Sequence, residues 1–132
     1  MNWNHPLIPQ RADPHVSRAD GRYWFTASVP SYDAIELRAA DDIAGLATAV
    51  PVTIWRKPAS GPMSCHVWAP ELHRIDGRWI VYFAASRSDD IWALRIYALE
   101  CLGSNPLTDP WVERGPFRTH EEGFSLDATT FE

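Results

Sequence analysis

Two carboxylates stand where this chain repeats itself. Asp13 precedes Pro14, and Asp127 lies two repeats further along, inside the apolar stretch from Phe124 to Phe131. A carboxylate can take a proton from water. Two carboxylates sharing one pocket raise the cost of ionising both, which helps to hold a neighbouring acid protonated. Each residue also has a plain structural reading. Asp before Pro is a common turn starter, and an Asp in an apolar strand must be paired or face a wet pocket, because an unpaired buried carboxylate is costly.

The other side chains with chemistry to offer are fewer. Glu132 comes five residues after Asp127, and an odd separation along a strand points it to the opposite face, so it is not read as a partner acid. Glu71 falls two residues past Ala69, where its side chain could look the same way as the repeated position. Trp68 and Phe25 could be core aromatics or a platform for a sugar ring, whose C–H face packs well on an aromatic; core is the default for Phe25, whereas Trp68 is read as a pocket wall. The five histidines (His5, His15, His66, His73 and His120) form no HExxH pattern or short-spaced ligand pair, so no zinc site is expected and no cofactor or metal is called for. His15, two residues after Asp13, is a candidate pocket neighbour. Cys65 and Cys101 match no zinc or redox spacing and read as two thiols used as small hydrophobes.

The elements that must position these groups come from an internal repeat. Pro14-His-Val-Ser-Arg-Ala-Asp-Gly-Arg-Tyr23 is echoed by Pro70-Glu-Leu-His-Arg-Ile-Asp-Gly-Arg-Trp79, which lays Asp20 on Asp76, and a third copy begins near Asp127. Each Asp-Gly sits between β-rich runs, as a two-residue hairpin turn does. The first unit gives strands over Pro14 to Ala19, Tyr23 to Val29, Ala34 to Ala39 and Val52 to Arg56. The second gives Val67 to Ile75, Trp79 to Ala85, Trp92 to Glu100 and Trp111 to Phe117. Helix competes over Ile91 to Leu102, but β-branched and aromatic content and the place in the repeat favour a strand. Four-stranded units at this period are the signature of propeller blades. The predicted fold is therefore all-β, a partial propeller with blade 1 at about residues 10–57, blade 2 at about 64–118 and the first strand of blade 3 at about 123–132. The alternative is an all-β sandwich of eight or nine strands.

Composition narrows the partners. With 132 residues, 45% hydrophobic and 22% charged, the chain can bury a real core, and its formal net charge of −5 with scattered Lys and Arg gives no footprint for nucleic acid. No apolar run approaches the ~18 residues of a membrane span, and Met1-Asn-Trp-Asn-His-Pro6 lacks the regions of a signal peptide. Neither a nucleic acid nor a membrane is expected as a partner, and a cytoplasmic location is expected.

Several segments together resemble the opening part of glycoside hydrolase family 43: Arg11-Ala-Asp-Pro-His-Val16, Tyr23-Trp-Phe-Thr-Ala-Ser28, Ile35-Glu-Leu-Arg38, Val67-Trp-Ala-Pro-Glu-Leu72 and Phe124-Ser-Leu-Asp-Ala-Thr-Thr-Phe131. They span nearly the whole chain, and the nearest likeness is to the exo-acting α-L-arabinofuranosidases. The resemblance implies a five-bladed propeller with the active site on its axis and single-displacement, inverting hydrolysis. It implies Asp13 as general base and Asp127 as the carboxylate that tunes and orients the acid, while the acid, a Glu further along the family's sequence, has no counterpart here. It makes the Trp68-Ala-Pro-Glu71 segment a shaper of the pocket, while the residues themselves offer Trp68, Phe25 and His15 as candidate substrate contacts. The substrates would be α-L-arabinofuranosyl or β-xylosyl ends of plant polysaccharides such as arabinan or arabinoxylan, or of their oligosaccharides. A non-catalytic carbohydrate-binding or interaction fragment of the same fold is the second reading. A fructosidase-type relative is a third, but no Asn-Asp-Pro-Asn-Gly-like opening is present.

Overall fold

The structure is a computed structural model that describes residues 5–118, 120 and 123–131. Strands β1 (Ala12–Ala19), β2 (Arg22–Ser28), β3 (Ala34–Ala40) and β4 (Val52–Arg56) form one antiparallel sheet in that order. Strands β5 (Cys65–Ile75), β6 (Arg78–Arg87), β7 (Asp90–Cys101) and β8 (Trp111–Pro116) form another. The competition over Ile91 to Leu102 is thus won by a strand, whose register on β6 runs from Arg87↔Asp90 to Ile80↔Glu100.

Both Asp-Gly pairs make the expected turns. Ala19 pairs with Arg22 and Ile75 with Arg78 across them, and all four turn residues have positive φ: Asp20 53°, Gly21 76°, Asp76 49° and Gly77 75°. Two consecutive left-handed residues match the right-handed twist of the flanking strands, which is why Asp-Gly is favoured there.

The sequence repeat is also written into rarer backbone geometry. Gln10 and His66 share a positive φ (55° and 52°), and so do Asp13, Ala69 and Asp127 (50°, 44° and 57°). A non-glycine residue in this region is uncommon. Its recurrence at one place in each unit shows that the units share their local conformation. At the first two places the strand register shifts, between Ala12 and His15 and between Trp68 and Glu71, and a proline follows directly. Proline cannot donate to a β-ladder and fits at such a bulge, which kinks the strand and re-aims the side chain before it.

The main core lies between the sheets and joins Trp24, Ile35 and Leu37 of the first to Leu72, Trp79 and Phe83 of the second. A sandwich would need only this layer and would leave its outer faces polar. Here both outer faces are apolar. Phe25 and Ala27 are buried under Ile8 and Leu46, the latter on a 3-10 turn at Ala44–Ala47, and Ala84, Leu94 and Ile96 carry Ala128. Sheets apolar on both faces are blades, packed between neighbours, and β5 is in contact with both β1 and β2. Residues 123–131, where blade 3 was expected to begin, form no paired strand. They run along blade 2, with the Ser125 N–H donating to Leu94 O at 3.2 Å and Ala128 packed on the Ala84 cluster. Glu132 lies outside the described residues.

Candidate functional site

The left-handed bulge of β1 sets Asp13 at the exposed start of the strand. Its carboxylate has one hydrogen-bond donor among the described residues: the hydroxyl of Ser28, the last residue of β2, at 3.4 Å from Oδ2. The same Ser28 oxygen accepts the N–H of Ala69 at 2.8 Å. One hydroxyl thus ties the bulge of blade 1 to the bulge of blade 2. Beside Asp13, a cavity opens between Gln10, Arg11, Ala12, Ser28, Pro30 and Tyr32. Arg11 is turned away from the carboxylate, donating from Nη2 to Glu36 Oε2 at 3.0 Å.

Blade 2 contributes an aromatic cluster. Trp68 is half-buried, stacked on His66 with ring centroids 4.4 Å apart, and met edge-on by Tyr32 at 6.0 Å. Its indole N–H is buried without a hydrogen-bond partner among the described residues. Trp68 also packs on the cluster that holds Ala128, the residue after Asp127. Asp127 itself is exposed on the unpaired segment, so the cost of burying a carboxylate does not arise. A continuous path of contacts therefore runs from Asp13 through Ser28, Ala69 and Trp68 to the neighbourhood of Asp127. Phe25 is placed elsewhere. At 7% exposure it belongs to the cluster of Ile8, Ala27 and Leu46 on the far face of blade 1, apart from the aromatic cluster around Trp68.

His15 is half-buried and faces β5 rather than open solvent. Its Nδ1 accepts the Leu72 N–H at 3.3 Å, so the neutral ring carries its proton on Nε2, which lies 3.8 Å from Glu71 Oε2. His73 Nε2 contacts the same carboxylate oxygen at 2.9 Å. The three residues bring potential ligand atoms within 4.8 Å of one another. With Nδ1 engaged by an amide, however, the His15 Nε2 has no lone pair to give a metal, and the arrangement is a hydrogen-bonded clamp between blades 1 and 2. Histidine spacing along the chain does not expose this cluster. The repeat does, since it lays His15 on Glu71 and so gives the two residues equivalent places on adjacent inner strands.

Burial pushes the His15 pKa below its ordinary 6.5; Glu71 opposes this and His73 adds to it. A group whose pKa is lower in the folded state binds more protons when unfolded. Its contribution is fully present above 6.5 and is lost as pH falls toward the folded-state value. The thermal midpoint is expected to drop between pH 7.5 and 5.5 by more in the parent chain than in His15→Gln. Equal drops in the two would show that His15 does not carry this dependence.

Comparison with known proteins places this geometry. A sequence model of "Glycosyl hydrolases family 43" matches residues 3–132. The extracellular exo-alpha-(1->5)-L-arabinofuranosidase of Streptomyces avermitilis is 54% identical over 99% of this chain, and that of Streptomyces chartreusis is 52% identical over 98%. The chain spans only 27% and 40% of those proteins. The crystal structure of an alpha-L-arabinofuranosidase from Lactobacillus brevis superposes with a TM-score of 0.91 at 48% identity, covering 98% of this chain and 43% of that one. The fold is thus all-β, two four-stranded blades of a partial five-bladed propeller. The two Streptomyces relatives are named extracellular, which overturns the cytoplasmic location expected above. That expectation rested on what Met1 to Pro6 lack, and export leaders are removable segments unrelated to the folded strands.

Proposed function

Since the chain belongs to glycosyl hydrolase family 43, we propose that it supplies the general base and the acid-tuning carboxylate of an inverting, exo-acting α-L-arabinofuranosidase. Asp13 takes the proton from the attacking water, and Asp127 orients and tunes a glutamic acid that protonates the leaving oxygen. The substrates are arabinofuranosyl ends of arabinan, arabinoxylan or their oligosaccharides, met outside the cell. The observation that carries this reading is the left-handed backbone shared by Asp13, Ala69 and Asp127. Repeat-equivalent places face one axis, and two of the three hold a carboxylate. Trp68 forms a wall of the pocket, His15 stiffens the strand below Asp13, and Phe25 supports the fold from the far face.

No Glu of this chain matches the family's acid, so the 132 residues alone are inactive. General acid catalysis is worth ~10²–10⁴ in rate, and two blades do not enclose a sugar between base and water. The test is hydrolysis of arabino-oligosaccharides and of an aryl α-L-arabinofuranoside by the chain alone and by full-length protein containing it, with the first-formed anomer read by proton NMR. Release of L-arabinose with inverted configuration by the full-length protein, and none by the chain alone, is the expected result. A retained configuration would overturn the mechanism, and turnover by the chain alone would show the acid to lie within it.

A further inference from the structure

Resting on Asp13 as the base, we propose that Ser28 is its positioning residue, holding the carboxylate in place and fixing it to the seam between blades 1 and 2. Ser28 is 1% exposed. A hydroxyl has one proton and two lone pairs. The Ala69 N–H, at 2.8 Å, occupies a lone pair, which leaves the proton for Asp13 Oδ2 at 3.4 Å. With Oδ2 held, Oδ1 is the oxygen left to receive a proton from water. Pro14 has no N–H of its own to offer the carboxylate. Among the described residues no other donor reaches it, because Arg11 is committed to Glu36.

The chain carries its own control. Ala12 pairs with Ser28 in blade 1, and the equivalent pair in blade 2 is Trp68 with Ala84. Blade 2 therefore has Ala69 where blade 1 has Asp13, and Ala84 where it has Ser28. Both polar groups are absent together, and the same fold closes without either. The hydroxyl accompanies the carboxylate rather than the strand pairing.

The experiment uses the full-length protein and an aryl α-L-arabinofuranoside, with kcat, KM and thermal midpoint measured for Ser28→Ala, Ser28→Cys, Ser28→Thr and Asp13→Asn. A hydrogen bond to a charged group that counts in the transition state is worth roughly tenfold to a hundredfold in rate. Ser28→Ala is expected to lose that much in kcat, with KM within about twofold of the parent, because a base that wanders costs turnover rather than binding. Ser28→Thr, which keeps the hydroxyl, should retain at least about a third of the parent kcat. Should Ser28→Ala fail to fold, Ser28→Cys, close in shape and a weak donor, carries the same expectation. Alanine and cysteine variants with kcat within about twofold of the parent, beside an inactive Asp13→Asn, would overturn the role of Ser28 alone. Alanine and threonine variants equally slow would reduce it to packing. An active Asp13→Asn would overturn the base itself and Ser28 with it.

Discussion

Asp13→Asn in the full-length protein is expected to abolish turnover of natural and activated substrates alike. Asparagine keeps the size and the hydrogen bond from Ser28 but cannot accept a proton from water, so the variant separates chemistry from shape. Removing a positioned general base typically costs ~10²–10⁴ in rate, and an inverting enzyme has no second route, because water must attack in the single displacement. A good leaving group does not help, since it relieves the acid and not the base. Asp127→Asn offers the contrast. In its proposed role of tuning the acid, it should slow arabino-oligosaccharides more than an aryl glycoside whose leaving group departs unaided. The assay is kcat/KM on both substrate types for both variants. Full activity of Asp13→Asn would remove the central residue of this mechanism.

The fold was legible because period and turn chemistry agreed. Asp20-Gly21 and Asp76-Gly77 fixed two hairpins and with them the register of β1 on β2 and β5 on β6. Strand ends were less legible. β1 begins at Ala12 and β5 at Cys65 rather than at Pro14 and Val67, because bulges let pairing resume on the far side of the irregular residues, which no propensity reports. The turn at Ser88 and Asp89 went unread for a related reason. It lacks glycine, and Asp89 accepts two hydrogen bonds from the Arg87 guanidinium.

In the site, sequence carried residue types and equivalent places but not facing. Phe25 and Trp24 are neighbours in β2, and alternation sends them to opposite faces, Trp24 into the seam and Phe25 away from it. A run buried along most of its length, as β2 is from Trp24 to Ser28, gives no polar alternation from which to tell the two faces apart. Ser28 was unremarkable in sequence, one serine closing a strand. Its significance lies in a contact across 41 residues to Ala69, and only a paired reading of positions 13 with 69 and 28 with 84 would have raised it.

The seam that holds the site together should fail most sharply at Trp79. Its side chain is 1% exposed, and its ring meets Trp24 of blade 1 at 4.8 Å between centroids, inclined by 54°. The indole N–H donates to Ser104 O at 3.0 Å. Arg74 lies over the ring at 5.1 Å and is ion-paired with Asp20 in the hairpin of blade 1. Trp79→Ala therefore removes a large buried surface, leaves a cavity that the β-ladders on either side of β6 prevent from collapsing, and strips Ser104 O of its donor. Truncations of this kind cost about 3–5 kcal/mol. The loss of the aromatic pair and of a buried acceptor's partner places this one toward the upper end. Against a total of about 5–15 kcal/mol for a domain, that is enough to unfold a marginal chain at room temperature. Trp92→Ala is the matched control. It deletes the same group from a position that is 65% exposed. At such a surface position the cost should stay within about 0.5 kcal/mol. Urea unfolding followed by far-UV circular dichroism measures both. A Trp79→Ala midpoint close to that of Trp92→Ala would mean that the two blades do not depend on this seam for their stability.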